Sequence, residues 1–197
     1  MKKALLVSMT IFSIMPLLSI AQDAAPKVRE VGLNFTNLNN FGIRYKCGTD
    51  KTLLRLTLLS INATSNDNEF GSGLNSQSNI GFGFNIGFEK RKVINEKLDF
   101  YYGLDLLTSY NYNRSDQGIT SRETWGASPG LGLVLGLRYK ISNEFNISAE
   151  VVPSVKYSTG ETITTSSGVK VSSTTTGYSF GLANNSASLT LAYRFGK

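Results

Sequence analysis

The residues of this chain that could carry chemistry are carboxylates and basic side chains. The 197-residue sequence contains no histidine and a single cysteine, Cys47. The lack of histidine excludes Ser-His-Asp and Cys-His catalysis as well as His-ligated zinc. The single cysteine excludes an internal disulfide and a CxxC metal site. Because no pattern among the carboxylates marks a substrate site, the sequence predicts no enzyme, no catalytic residue, no metal site and no cofactor.

The charged residues of interest lie on the polar side of segments with alternating hydrophobicity. We interpret seven of them as an interior polar network: Arg44, Arg55, Glu89, Asp105, Arg138, Glu150 and Arg194. Lys46, Lys140 and Lys156 share that side. Buried charges must pair, because an isolated one is strongly destabilising. We expect Arg138 and Glu150 to lie at nearly the same height on neighbouring strands. The network is interpreted as a static polar core, and the alternative is a gate or a narrow ion path.

Two glycine pairs, Gly81-x-Gly83 and Gly130-x-Gly132, superficially resemble phosphate-binding loops. Both lie within strand-like alternation and neither precedes a helix, so the dinucleotide-binding interpretation fails in this context. We expect these glycines to relieve crowding inside a barrel.

The first 21 residues have the features of a secretory signal peptide. Lys2 and Lys3 precede a mostly apolar stretch at 4–18, and Ser19-Ile20-Ala21 places small residues before the expected cleavage site. We therefore predict a cleaved signal at 1–21 and one barrel domain at 22–197. Cleavage would lower the formal net charge from +6 to +4, a dispersed surplus that does not predict nucleic-acid binding.

The remaining chain alternates with the period of two that is typical of β-strands. Residues 80–88 show it most clearly, with apolar side chains at even positions and Gly or Asn between them. Eight strands are predicted: 29–36, 40–47, 52–64, 77–92, 98–114, 124–141, 145–160 and 177–195. Short turns alternate with longer polar loops, which we expect at 66–76, 115–123 and 161–176. The last of these, rich in Thr and Ser, is the longest candidate for an external contact surface.

Alternation alone does not distinguish a soluble sandwich or barrel from a transmembrane barrel. A soluble secreted ligand-binding barrel would place Phe82, Phe84, Leu131 and Leu133 inside. Three features favour the membrane: strands well above the usual length of about 5–6 residues, polar faces rich in Gly, Asn and Ser, and aromatic residues near the strand ends.

The signal peptide, the eight strands and the closing segment Leu189-x-Leu191-x-Tyr193-x-Phe195 resemble the small outer-membrane β-barrel proteins of the OmpA/OmpX type. The resemblance implies an all-β, eight-stranded antiparallel up-and-down transmembrane β-barrel in the cell outer membrane of a Gram-negative bacterium. It also implies contact with outer-membrane lipids and lipopolysaccharide, recognition by periplasmic chaperones and the barrel assembly machinery, and a monomeric state.

Such a protein is expected to be non-enzymatic, with a structural, adhesive or loop-mediated binding role at the cell surface. A small porin-like passive channel, gated by the internal ion pairs, is the alternative within the membrane. The known enzymes with this architecture use a histidine, which this chain lacks.

Overall fold

The computed structural model describes residues 28–37, 40–70, 73–182 and 187–195, so the predicted signal peptide lies outside the described residues. Eleven strands lie within these ranges: β1 (Val28–Asn37), β2 (Asn40–Gly48), β3 (Thr52–Phe70), β4 (Gly73–Val93), β5 (Leu98–Gln117), β6 (Thr120–Ala127), β7 (Gly130–Lys140), β8 (Phe145–Val151), β9 (Ser154–Ser166), β10 (Val169–Gly181) and β11 (Ala187–Phe195). Within the described ranges, no helix has the length and apolar character needed to cross a membrane.

All strand pairings are antiparallel, which confirms the predicted all-β, up-and-down class. From β1 to β5 each strand pairs with the next one along the chain. Strand β5 then pairs with β7, β7 with β8, β8 with β11 and β11 with β1. The pairings therefore lead from β1 through seven other strands and back to β1.

Prolines interrupt two of the long predicted strands, because proline has no N–H to contribute to a sheet. The predicted strand 124–141 becomes β6 and β7, which are separated at Pro129, and 145–160 becomes β8 and β9, which are separated at Pro153. The proline carbonyls still accept hydrogen bonds: Tyr157 N donates to Pro129 O and Leu133 N donates to Pro153 O, both at 2.9 Å. The sheet therefore continues across both interruptions.

The prediction of longer polar loops at 66–76, 115–123 and 161–176 is wrong, because strands continue through most of those residues. Strands β3 and β4 pair as far as Phe70 and Gly73. Strands β9 and β10 pair from Ser154–Gly181 to Ser166–Val169, where they reverse through Ser167 and Gly168, whose φ angles of 49° and 82° fit a tight hairpin turn. β-branched threonines favour this extended conformation. We call β6, β9, β10 and residues 110–117 of β5 the distal sheet.

The alternation of apolar and polar side chains corresponds to two faces of the sheet. Along β5, Asp99, Tyr101 and Asp105 are buried, whereas Tyr102 and Leu104, which alternate with them, are 45% and 47% exposed. The soluble-barrel alternative is wrong in its placement of apolar residues, since Phe82, Leu131 and Leu133 are among the exposed side chains. The apolar face points outward and the charged face inward.

The outward apolar band has the height of a membrane core. On β5 it runs from Phe100 to Tyr112, beyond which Arg114 and Asp116 follow on the same face. Twelve residue steps at about 3.3 Å span roughly 40 Å along the strand, and a tilt of about 45° reduces this to roughly 28 Å across the bilayer. Aromatic pairs flank the band: Tyr157 with Tyr178 at one end, with centroids 5.0 Å apart, and Phe145 with Tyr193 at the other, 5.1 Å apart.

The close strand contact at Gly103 gives a direct test of this packing. A Cβ at position 103 would collide with the backbone carbonyl oxygen of Phe88, whereas a Cβ at Gly177 meets nothing within 4 Å. We expect Gly103→Ala to lower the free energy of unfolding by about 1–3 kcal/mol, and Gly177→Ala to change it by less than about 0.5 kcal/mol. Urea unfolding in detergent micelles measures both, and equal effects would contradict the described register.

Candidate functional site

The interior of the strand ring holds a group of buried charges. Ten charged side chains in the described residues are at least 92% buried: Glu30, Arg44, Lys46, Arg55, Glu89, Arg91, Asp99, Asp105, Arg138 and Glu150. Five are cations and five are carboxylates, so their formal charges cancel. They come from β1, β2, β3, β4, β5, β7 and β8. We call this group the interior network.

Glu150 on β8 is one centre of the interior network. Arg44 and Arg55 donate to its Oε1 at 2.6 and 2.8 Å, and the Tyr101 hydroxyl donates to its Oε2 at 3.0 Å. Arg44 on β2 and Arg55 on β3 are thereby tied to a strand on the other side of the interior.

Arg55 links this centre to two further carboxylates. Its Nη1 lies 3.4 Å from Glu89 Oε2 and its Nε lies 3.1 Å from Asp105 Oδ1. The contact with Asp105 lacks the alignment of a hydrogen bond, because neither atom has a hydrogen-bond partner by geometry. It is an ion pair held by charge and proximity alone.

Glu89 and Glu30 carry the interior network across to β1. Glu89 accepts from Lys46 Nζ and from Arg91 Nε, both at 2.8 Å. Arg91 also forms a two-pronged pair with Glu30, at 2.7 and 2.6 Å. Parallel bonds of this kind between a guanidinium and a carboxylate are among the strongest side-chain pairs.

Arg138 extends the interior network towards the short turns. Its Nη1 donates to Glu30 at 3.0 Å, and its Nη2 pairs closely with Asp99. Lys140, which is partly exposed, lies 3.3 Å from the same Asp99. Arg138 stands opposite Ser148, whereas Glu150 stands opposite Gly136, so the expected neighbours Arg138 and Glu150 are offset by two residues and bind different partners.

Of the seven residues predicted for the interior network, the structure brings six together and leaves one outside. Arg194 is partly exposed near the short turns, where it pairs with Asp50 at 2.5 Å. Lys156 lies on the inward side of β9 and is part of no ion pair in the described residues. Glu30, Arg91 and Asp99 were missed, although each shares its strand's inward parity.

Glycines on the inward face make room for the larger members of the interior network. A Cβ at Gly136 would overlap the ring of Tyr101, and one at Gly87 would overlap the Asp105 carboxylate. Tyr101 is fully buried and Asp105 is 1% exposed. The alternation of glycine with large polar residues is therefore a packing requirement of a narrow interior.

The arrangement cross-links the strand ring. Arg91–Glu30 joins β4 to β1, Arg44–Glu150 joins β2 to β8, and neither pair of strands is adjacent in the sheet. Every carboxylate of the network contacts a cation, which is the condition for burying so many charges. No group of three or more Cys, His, Asp or Glu side chains within the described ranges is placed to hold a metal ion.

Comparisons with known proteins give structural likeness only. No family model and no curated protein sequence matches the chain. The ferric yersiniabactin uptake receptor FyuA from Yersinia pestis aligns with a TM-score of 0.50 and 14% identity over 78% of this chain; the chain spans 25% of that receptor's length. A major outer membrane protein from Thermus thermophilus aligns at 0.48 with 11% identity, covering 86% of this chain and 99% of that one. The attachment invasion locus protein Ail of Yersinia pestis aligns at 0.38 with 15% identity, covering 87% of this chain and 100% of that one.

An antiparallel all-β protein with an apolar exterior and a charged interior has the arrangement of outer-membrane β-barrel proteins. Large apolar side chains that are 40% exposed or more include Leu33, Phe41, Ile43, Phe88 and Leu131. An apolar surface this extensive needs lipid or a partner to cover it. The cell outer membrane is therefore the location that the structure indicates.

Removing one cation tests how much the interior network contributes to the free energy of unfolding. Arg55→Met leaves Asp105 without a paired cation in the described residues, and it removes one of the cations paired with Glu89 and with Glu150. We expect it to lower the free energy of unfolding by about 3–5 kcal/mol, as for other broken buried pairs. Arg114→Gln, which breaks exposed, solvent-screened pairs, serves as the control and should change the free energy of unfolding far less. Urea unfolding in micelles compares the two, and similar values would count against the interior network.

Proposed function

We propose that this chain is a non-enzymatic outer-membrane protein whose barrel is closed to ions and anchors the distal sheet at the cell surface. The role of that sheet is structural, adhesive or ligand-binding. One observation carries the proposal: ten buried charges of balanced sign bridge non-adjacent strands across the interior. A lumen filled in this way serves as a rigid support.

We further propose that these strands form an eight-stranded transmembrane β-barrel. Its support is the sequence of pairings, which returns to β1 after β2, β3, β4, β5, β7, β8 and β11. Eight strands enclose an interior just wide enough to be filled by side chains. The interior network supplies side chains of the size that such a lumen requires.

The orientation of the barrel in the membrane follows from the difference between its two ends. Residues 49–51, 94–97 and 141–144 form short connections at one end, and the distal sheet extends from the other. Outer-membrane barrels place short turns in the periplasm and longer segments outside. The distal sheet therefore faces the exterior in this proposal, next to lipopolysaccharide.

The proposed partners follow from the same location. Outer-membrane lipids cover the apolar band, and the barrel assembly machinery and periplasmic chaperones recognise β11, whose alternating apolar residues end in the aromatic Phe195. The protein acts as a monomer in this proposal and binds no nucleic acid.

Fractionation tests the membrane barrel itself. We expect the full-length protein to enter the outer-membrane fraction, to resist carbonate extraction, and to migrate differently on a gel before and after boiling. This change in mobility arises because a closed, fully paired barrel resists unfolding by detergent until it is heated. A protein that carbonate extracts and heating leaves unshifted would rule out the barrel.

Conductance tests whether the interior network closes the lumen. In a planar bilayer we expect no steady current from the wild-type protein, and stepwise currents from the double variant Arg55→Ala/Glu150→Ala, which removes two side chains 2.8 Å apart in the interior. The matched control is Arg114→Ala/Glu123→Ala, an exposed pair 3.3 Å apart in the distal sheet, which should stay silent. A heat shift on gels checks that each variant is folded. A steady wild-type current would instead support the small passive channel.

A further inference from the structure

The two faces of the distal sheet differ in charge. The face that continues the barrel interior by strand alternation carries these residues on β5 and β6: Asn111, Asn113, Ser115, Gln117, Thr120, Arg122, Thr124 and Gly126. Its positions on the far part of β9 are Ser158, Gly160, Thr162, Thr164 and Ser166. None of these residues is a carboxylate, and Arg122 is the one charge among them. Lys156, the next position of this face on β9 towards the barrel, is a second cation without an ion pair in the described residues. We call this surface the hydroxyl face.

The carboxylates of the distal sheet lie on the opposite face. There Arg114 pairs with Asp116 at 2.8 Å and with Glu123 at 3.3 Å. Glu161 accepts a hydrogen bond from the Trp125 indole at 3.4 Å. Arg114 on that face is therefore paired with carboxylates, whereas Arg122 on the hydroxyl face is not.

Arg122 lines an open pocket of about 580 Å³, and every residue of the lining carries a polar group. It stands opposite Ser115 on β5 and opposite Thr164 on β9, with Asn113 and Thr124 also in the lining. Its side chain is exposed and forms no ion pair with any described residue. The volume lies in the range of small-molecule sites, and paired strands hold the lining in place.

We propose that the hydroxyl face binds an acidic saccharide, with Arg122 pairing to its anionic group. A guanidinium recognises a carboxylate or phosphate through two parallel hydrogen bonds. The surrounding hydroxyl and amide groups both donate and accept hydrogen bonds, as a sugar's hydroxyls require. This inference rests on the proposed function, since it needs the distal sheet to face the exterior. A free acidic polysaccharide and lipopolysaccharide both present anionic sugars of this kind, and the experiment below distinguishes these two sources.

Calorimetric titration of the full chain in detergent micelles tests the proposal. The probes are tetragalacturonate, an acidic soluble sugar; maltotetraose, a neutral one; and detergent-dispersed lipopolysaccharide. The variants are Arg122→Gln, Arg122→Lys and, as a matched control on the opposite face, Arg114→Gln. All variants are first checked for the heat shift of the folded protein.

We expect wild-type protein to bind an acidic probe at least about tenfold more tightly than maltotetraose, because a charge-assisted pair forms only with the acidic sugar. Arg122→Gln should lose at least about tenfold in affinity, Arg122→Lys should lose less, and Arg114→Gln should match the wild type. Arg122-dependent binding of tetragalacturonate identifies a soluble source, and Arg122-dependent binding of lipopolysaccharide alone identifies the lipid.

Equal binding of acidic and neutral sugars, or equal losses for the Arg122 and Arg114 variants, would overturn the saccharide site. The barrel proposal would still stand in that case, provided that the protein enters the outer-membrane fraction and shows its heat shift. Failure of those two measurements would remove the proposed function itself.

Discussion

The pairing of charges inside the strand ring is the interaction on which the rest of the structure depends. Burying ten ionised side chains is favourable only if each has a partner of opposite sign at close range. Glu150, Glu89 and Glu30 each contact two or more cations from different strands. A shift of one strand by a single residue would turn its charges to the lipid face. The network thus selects the register of the strands as well as filling the space between them.

The apolar character of the outward face is a consequence of the same alternation that places the charges inward. Because strand side chains alternate, each buried charge on β5 leaves an apolar residue on the other side, such as Leu104 beside Asp105. Inward glycines leave space for bulky inward side chains, as Gly136 does for the ring of Tyr101. One repeating sequence pattern therefore supplies an outward apolar band, an inward charged face and the space that the inward side chains need. Beyond the band the same alternation continues, and there it yields a distal sheet whose two faces differ in charge.

Much of the fold could be predicted from the period of two. The alternation placed Asp105 and Glu150 on the inward side, and in β3, whose leucines occupy both sides, Arg55 marks the inward side. The interruptions at Pro129 and Pro153 and the extension of the strands through 161–176 were not predicted, because polar Thr and Ser segments were interpreted as loops. Paired strands offer these hydroxyls partners across the sheet, as in Thr124 with Thr162 at 3.2 Å.

The sequence predicted six of the ten members of the interior network, but not which of them pair. Arg138 binds Asp99 and Glu30 and not Glu150. The length of each side chain and the stagger of the strands decide which charges meet. The alternation of the sequence shows only which side of a strand a residue lies on. The charges nearest the short turns, Arg91 and Asp99, were overlooked because strand ends are the least certain part of a sequence pattern. Arg194 shares the inward parity but lies at the rim, where water competes for it.

The apolar face of the sheet meets lipid and the charged face lies inside. Spin labels at positions 104 and 106 of β5, in protein reconstituted into lipid vesicles with Cys47 replaced by Ser, measure this directly by collision with oxygen and with a water-soluble nickel complex. We expect frequent collisions with oxygen, which dissolves in the membrane core, and almost none with the nickel complex. Free access of the nickel complex to both positions would contradict it.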